Sequence, residues 1–187
     1  CVSGGAALIR QYFINQGLTP PSPAMTKAML MNSARRLTGT GANDTLWSNS
    51  QGMGLMNLGD LFLRTPSNTV IRDEVAGDIF TGSGQTRTFT GTIADTTKPF
   101  RVSLSWTDAV GSTTGSAIRN NLNLTVVIGA NTYLGNVFSS GNSVTGGAAD
   151  TLNNSESVFL PAGTSGSYTV TVTGATIGSD GVPKAAL

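Results

Sequence analysis

Apolar residues recur at helical spacing in the first third of the chain and at every second position over most of the remainder. Val2, Ala6, Ile9 and Phe13 fall on one helical face and predict a helix over residues 2–13. Gly17 supplies a stop, and Pro20-Pro21 prevents continuation. Gly4, Gly5, Ala6 and Ala7 weaken helix propensity at the glycines but allow close packing, so this helix is expected to be central and buried. A second helix starts at Ser22 as N-cap with Pro23 at the first helical position, where its missing N–H costs nothing. Met25, Ala28, Met29 and Asn32 share a face of it, Arg35 and Arg36 are expected in its last turn, and Gly39 and Gly41 end it. The stretch Gly52–Leu63 reads as a short extended segment followed by a short helix.

Composition changes near Thr65-Pro66-Ser67-Asn68, and the period becomes two. Residues 87–93, 100–106, 122–128, 157–160 and 167–172 read as strands, punctuated by Gly, Asn, Asp and Ser. Six to eight short strands in this stretch predict an antiparallel β-sandwich or jelly roll. The 26 threonines suit solvated strand faces. The expected fold class is therefore α+β: a helical segment, residues 1–66, joined to a β-sandwich, residues 67–187. The sandwich is expected to fold alone and the helical segment is not. The five methionines (Met25, Met29, Met31, Met53 and Met56) are expected to fill the core.

Composition narrows the chemistry. Charged residues are 11% of the 187 and the net charge is +1, which offers no broad basic surface to nucleic acid. No histidine is present, so the chain cannot supply the imidazole base of a Ser-His-Asp or Cys-His site, nor a histidine-liganded zinc. Cys1 is the one cysteine and excludes an intrachain disulfide; it is expected to be a small buried residue on the first helix. No apolar run of about 18 residues predicts a membrane span. No basic start followed by an apolar block marks a signal peptide.

Several stretches carry a resemblance. Val2-Ser3-Gly4-Gly5-Ala6-Ala7-Leu8 resembles the helix that follows the Gly-Thr-Ser-Met-Ala-x-Pro serine motif of subtilisin-like serine proteases, with Cys1 at the histidine of the family's usual continuation. Pro21–Ala34 is similar to that family's next helix, and Gln51–Leu58 to its Gly-x-Gly-x-Val-Asn stretch near the end of the catalytic domain. Leu104–Asp108, Asn120–Leu124 and Asn153–Phe159 resemble the jelly-roll domain that follows the catalytic domain in oxidant-resistant alkaline subtilases. The resemblance implies the C-terminal portion of a secreted, extracellular serine endopeptidase. Its partners would be the N-terminal part of the same protease and, through it, a protein substrate. The motif serine would lie before Cys1 and the other catalytic residues further upstream, so no catalytic residue carries over. Where the family shows Asn-Asp-Leu-Asp-Leu, this chain has Asn121 and Asn123 in place of both aspartates.

Calcium is the one cofactor that the residues suggest. Asp108, Asn121, Asn123, Asp150 and Glu156 carry the oxygen donors a hard cation needs, although two are neutral amides. Ser3 has no base available and is not expected to act as a nucleophile. A second reading of different class is a non-catalytic binding module for substrate, carbohydrate or a cell surface; aromatic residues are only 6% and form no stacking platform for sugars.

Overall fold

The computed structural model describes residues 1–63 and 68–178, and the backbone of 184–186. The boundary expected at residue 66 lies outside the described residues. Helix α1 spans Val2–Asn15 and α2 spans Pro23–Ser33, with the Ser22 side chain accepting from Met25 N as predicted. Asp73 fixes that cap from across the chain, accepting from Ser22 N at 2.8 Å and Ser22 Oγ at 2.6 Å. A short helix α3 covers Leu58–Phe62, capped by Asn57. Ile9 and Phe13 of α1 pack with Met25 and Met29 of α2 and Leu61 of α3. Gly5 lets Met56 pack closely at the α1 crossing: a Cβ there would lie 2.4 Å from Met56 Sδ, and that side chain would have to move.

Two helical expectations are corrected. Helix α2 ends at Ser33, so Arg35 and Arg36 are not in its last turn. Arg35 instead exchanges backbone hydrogen bonds with Leu55, and that pairing pulls the chain into an extended course. Helix α1 is not buried all round. Its Gly5, Ile9 and Phe13 face is covered, but Val2, Leu8 and Ile14 are 65%, 53% and 47% exposed. Of the methionines, Met25, Met29, Met31 and Met53 are buried and Met56 is half-buried against Gly5.

The strands are β1 (Thr86–Thr92), β2 (Phe100–Thr107), β3 (Asn121–Ile128), β4 (Asn131–Ser139), β5 (Asn142–Thr145), β6 (Ser155–Leu160), β7 (Ser167–Thr176) and β8 (Lys184–Ala186). They form a five-stranded sheet, β1-β7-β3-β4-β5, and a three-stranded sheet, β6-β2-β8, with every pair antiparallel. Between the sheets lie Leu122, Leu124 and Val126 of β3, Val170 and Val172 of β7, Leu104 and Trp106 of β2, and Val158 and Leu160 of β6. The alternate positions of β1 and β7 point the other way, in register from Thr86↔Thr173 to Thr92↔Ser167.

The β4–β5 hairpin has no counterpart in the period-two reading, because Gly135 and Asn136 interrupt the alternation of β4. Asn136 adopts φ +61°, and the β4–β5 register shifts between Tyr133 and Phe138. This irregularity turns side chains toward the open edge of β6. Asn136 donates to Ser155 O and accepts from Ser157 N, while Ser143 Oγ accepts from Phe159 N. The edge of β6 is thus covered by side chains in place of a strand, which satisfies groups that would otherwise be buried without partners.

The helical segment lies on the outer face of the three-stranded sheet. Met31, Ala34, Leu46 and Met53 of the segment form a core with Phe159 of β6, with Phe138 packed against it. The Arg101 guanidinium sits 4.3 Å from the Phe159 ring centroid and donates to Asn32 O at 2.9 Å and to Ala34 O. A cation there meets the carbonyls at the α2 C-terminus, where the helix dipole favours it. Asn32 Nδ2 donates to Ser103 Oγ, which lies 3.0 Å from Ser157 Oγ. Lys27, an exposed residue of α2 whose pKa is lowered by partial desolvation, donates to Asn154 Oδ1 at 2.7 Å. All six residues of β6 are buried because both of its faces are covered.

Candidate functional site

The five candidate oxygen-donor residues divide into two kinds. Asp108 follows β2 and holds the next loop shut. Its carboxylate accepts from Ala109 N, Arg119 N, Asn120 N and Asn120 Nδ2 at 2.7–3.0 Å. Asn120 in turn accepts the Trp106 indole N–H on its carbonyl, at 3.0 Å. Asp108 therefore reads as the pin of a long connection, with its lone pairs directed at the chain's own N–H groups. Asp150 is similarly engaged. It accepts from Leu152 N, Asn153 N, Asn153 Nδ2 and Asn136 Nδ2.

Glu156 differs. It is fully buried on β6, on the same strand face as Val158 and Leu160. Its Oε2 accepts from Leu124 N at 2.7 Å, and Oε1 has no partner. Leu124 N is available because the β3–β4 ladder begins only at Thr125↔Leu134. Gly135 makes the approach possible: a Cβ there would lie 2.1 Å from Glu156 Oε2. Burial raises the carboxyl pKa to about 8, the Leu124 N–H opposes that shift, and the Asp150 charge adds to it.

Two further acceptors stand on the strand that Glu156 touches. Asn121 Oδ1 and Asn123 Oδ1 are both buried without a hydrogen-bond partner, as is Ser155 Oγ beside Glu156. The alternation of β3 turns Asn123 to the face opposite Leu122 and Leu124, while Glu156 points inward with Val158 and Leu160, so these oxygens do not converge on one point. Buried acceptors without donors are costly in a dry fold. Asp108 and Asp150 are committed to N–H donors, and the structure does not gather the five candidate residues into one site. Among the described residues no three of His, Cys, Asp and Glu gather as a metal-binding group. Periodicity gave no sign of Asn136 and Ser155. The Gly135-Asn136 pair was the available signal, since such a pair inside a strand marks a bulge.

The remaining candidates are placed plainly. Cys1 is exposed, contrary to the buried position expected; it is the N-cap of α1 and precedes the first helical turn. Ser3 is exposed on the same helix. An open cleft of about 420 Å³ lies over the loop of Gly39, Gly41, Asp44 and Ser50. The Asp44 carboxyl there is held below its ordinary pKa first by the Gln51 amide, which donates at 2.8 Å. No helix among the described residues is long and apolar enough to cross a membrane. No family model matches the chain, and no curated protein matches it at a significant level.

Proposed function

We propose that this chain is the C-terminal part of a secreted subtilisin-like serine endopeptidase, in which it supports and extends a catalytic domain supplied by the preceding sequence. The observation that carries the reading is the incomplete cover of α1. A helix opening Val-Ser-Gly-Gly-Ala-Ala-Leu has Gly5 and Ile9 packed inward, yet Val2, Leu8 and Ile14, which point in three directions around its axis, are all exposed. Apolar residues of this size on a small-residue helix ask for a further layer. In the family that the sequence resembles, that layer is the sheet of the catalytic domain, and the nucleophile stands just before this helix. Peptide hydrolysis there would use a serine, a histidine and an aspartate from upstream; this chain's part is to hold the helix and its backing in place.

The reading has a direct test. Codons preceding Cys1 that encode Gly-Thr-Ser-Met-Ala, and casein hydrolysis by the longer product, would support it. Unrelated preceding sequence would overturn it. The chain by itself is expected to hydrolyse no casein and to take up no fluorophosphonate label, since it has no histidine to activate a serine. Labelling of any serine in residues 1–187 contradicts this.

Calcium belongs to the same proposal, on β3, where the Asn121 and Asn123 amide oxygens are buried without a partner. Neutral amides give at most a weak site, of the order of 10⁻⁴–10⁻³ M. Replacing Asn121 and Asn123 by Asp is expected to enlarge the rise in melting temperature produced by millimolar calcium. Calorimetry showing no calcium binding by either form removes the cation from the proposal.

A further inference from the structure

Two guanidinium groups meet where the edge strand β1 closes over the sandwich core. Arg87 of β1 lies over the ring of the buried Phe80, 4.8 Å from its centroid. Arg72 lies over the ring of Phe89, two residues further along β1, at 4.7 Å. Both arginines line one cavity of about 20 Å³, with Asp78 as its third polar group and Phe80, Phe89 and Leu104 in its apolar wall. The side chains of Arg72 and Asp78 are 33% and 20% exposed, so the cavity meets solvent on their side.

The charges around this cavity do not cancel. Asp78 is committed to Arg72, whose Nε donates to Oδ2 at 2.6 Å. Arg87 gives its terminal N–H groups to backbone carbonyls, Thr86 O at 2.9 Å and Ile79 O. Its Nε is buried with no hydrogen-bond partner, and among the described residues no carboxylate pairs with it. The lining thus sets two cations against one anion and leaves one N–H donor over. A buried donor without an acceptor bears its whole desolvation cost, and a charged one bears more. Stacking on Phe80 attracts the cation but supplies no acceptor in the plane of Nε.

A single acceptor carrying one negative charge answers both deficits, and the volume decides its kind. A cavity of about 20 Å³ holds one body the size of a water molecule. Phosphate and sulfate, with four oxygens each, are too large, and so is a carboxylate on its carbon frame. A metal cation is repelled by the excess positive charge. A monatomic anion fits: it accepts from any direction, and it tolerates an apolar wall on one side. We infer that the cavity of Arg72, Asp78 and Arg87 binds one halide ion, chloride in ordinary media, with Arg87 Nε–H as its donor. The ion ties the one-turn helix Ala76–Asp78 and the segment carrying Arg72 to the edge strand β1. Binding is weak, with a dissociation constant of about 10 mM, because one uncompensated charge at a partly solvated site gives little more. The inference stands on this cavity alone and does not depend on the peptidase reading.

Thermal unfolding of the whole chain in sodium chloride and in sodium gluconate of equal ionic strength tests it, since general screening is then the same in both. At about 100 mM chloride the folding constant should rise about tenfold by mass action, and the melting temperature by roughly 3–6 °C over gluconate. Sodium bromide should act as chloride does, and crystals grown or soaked in it should show an anomalous peak beside Arg87 Nε. Arg87→Met keeps the packed stem, removes the charge and the donor, and should abolish the difference between chloride and gluconate. Asp78→Asn removes the opposing carboxylate and should enlarge it. That variant and the bromide peak decide the matter if Arg87→Met does not fold. Equal melting in chloride and gluconate overturns the inference and leaves a water in the cavity. So does a bromide map without a peak there, a chloride effect that survives Arg87→Met, or one that Asp78→Asn leaves unchanged.

Discussion

Phe159→Ala is expected to destabilise the chain by about 3–5 kcal/mol, the range for truncating a buried aromatic residue. Phe159 is 1% exposed and lies where Met31, Leu46 and Met53 of the helical segment meet β6. The substitution removes the ring from that core and takes the π-face from under Arg101. For a chain of this length each kcal/mol shifts the melting temperature by roughly 2–4 °C, so a fall of roughly 6–20 °C is expected. Arg101→Ala should cost less alone, and the double variant should fall short of the sum, because the two residues share one contact. Thermal unfolding of the four forms measures this. Additive effects, or a fall below about 1 kcal/mol for Phe159→Ala, would show that the helical segment is not part of the same cooperative unit. The seam also bears on the expectation that the sandwich folds alone. Residues 67–187 by themselves would expose Phe159 and Arg101, and should melt below the whole chain.

The second large effect is a loss of stability between acid and mildly alkaline pH. Glu156 titrates near 4.5 when unfolded and near 8 in the fold, where burial favours the neutral acid. The folded chain therefore holds a proton that the unfolded chain releases. Stability from this group is complete below pH 4.5, declines as pH rises through the interval, and levels off above 8. The interval corresponds to about 5 kcal/mol at most. Asp150, the charged neighbour acting on Glu156, adds to the decline. Glu156→Gln keeps the shape of the neutral acid and should flatten the profile from pH 5 to 8. Urea unfolding across that range decides it, and equal slopes in both proteins would contradict the buried neutral carboxyl.

Local chemistry made much of the fold legible. Ser22 and Pro23 announce the start of α2 because a cap needs only its own first turn. The strands β1, β3 and β7 follow from alternation, since each has one face against the core and one outward, and β2 keeps the alternation because small serines occupy the face under the helical segment. The hairpin of β4 and β5 was not legible, because Gly135 and Asn136 break the alternation for reasons that lie on another strand. The true end of α2 was hidden for the same kind of reason. Arg35 is drawn out of the helix by Leu55, twenty positions along the chain.

The candidate site shows the same division. Sequence alone brought Asp108, Asn121, Asn123, Asp150 and Glu156 to notice as oxygen donors. It also decided that this chain has no histidine for a serine nucleophile and no second cysteine for a disulfide. Only the tertiary structure separated the carboxylates: Asp108 and Asp150 are saturated by N–H donors of nearby loops. Glu156 crosses to β3 and remains half-satisfied. That difference depends on which N–H groups arrive at each carboxylate from distant strands. Pairing of strands fixes those arrivals, and residue type and spacing carry no record of it.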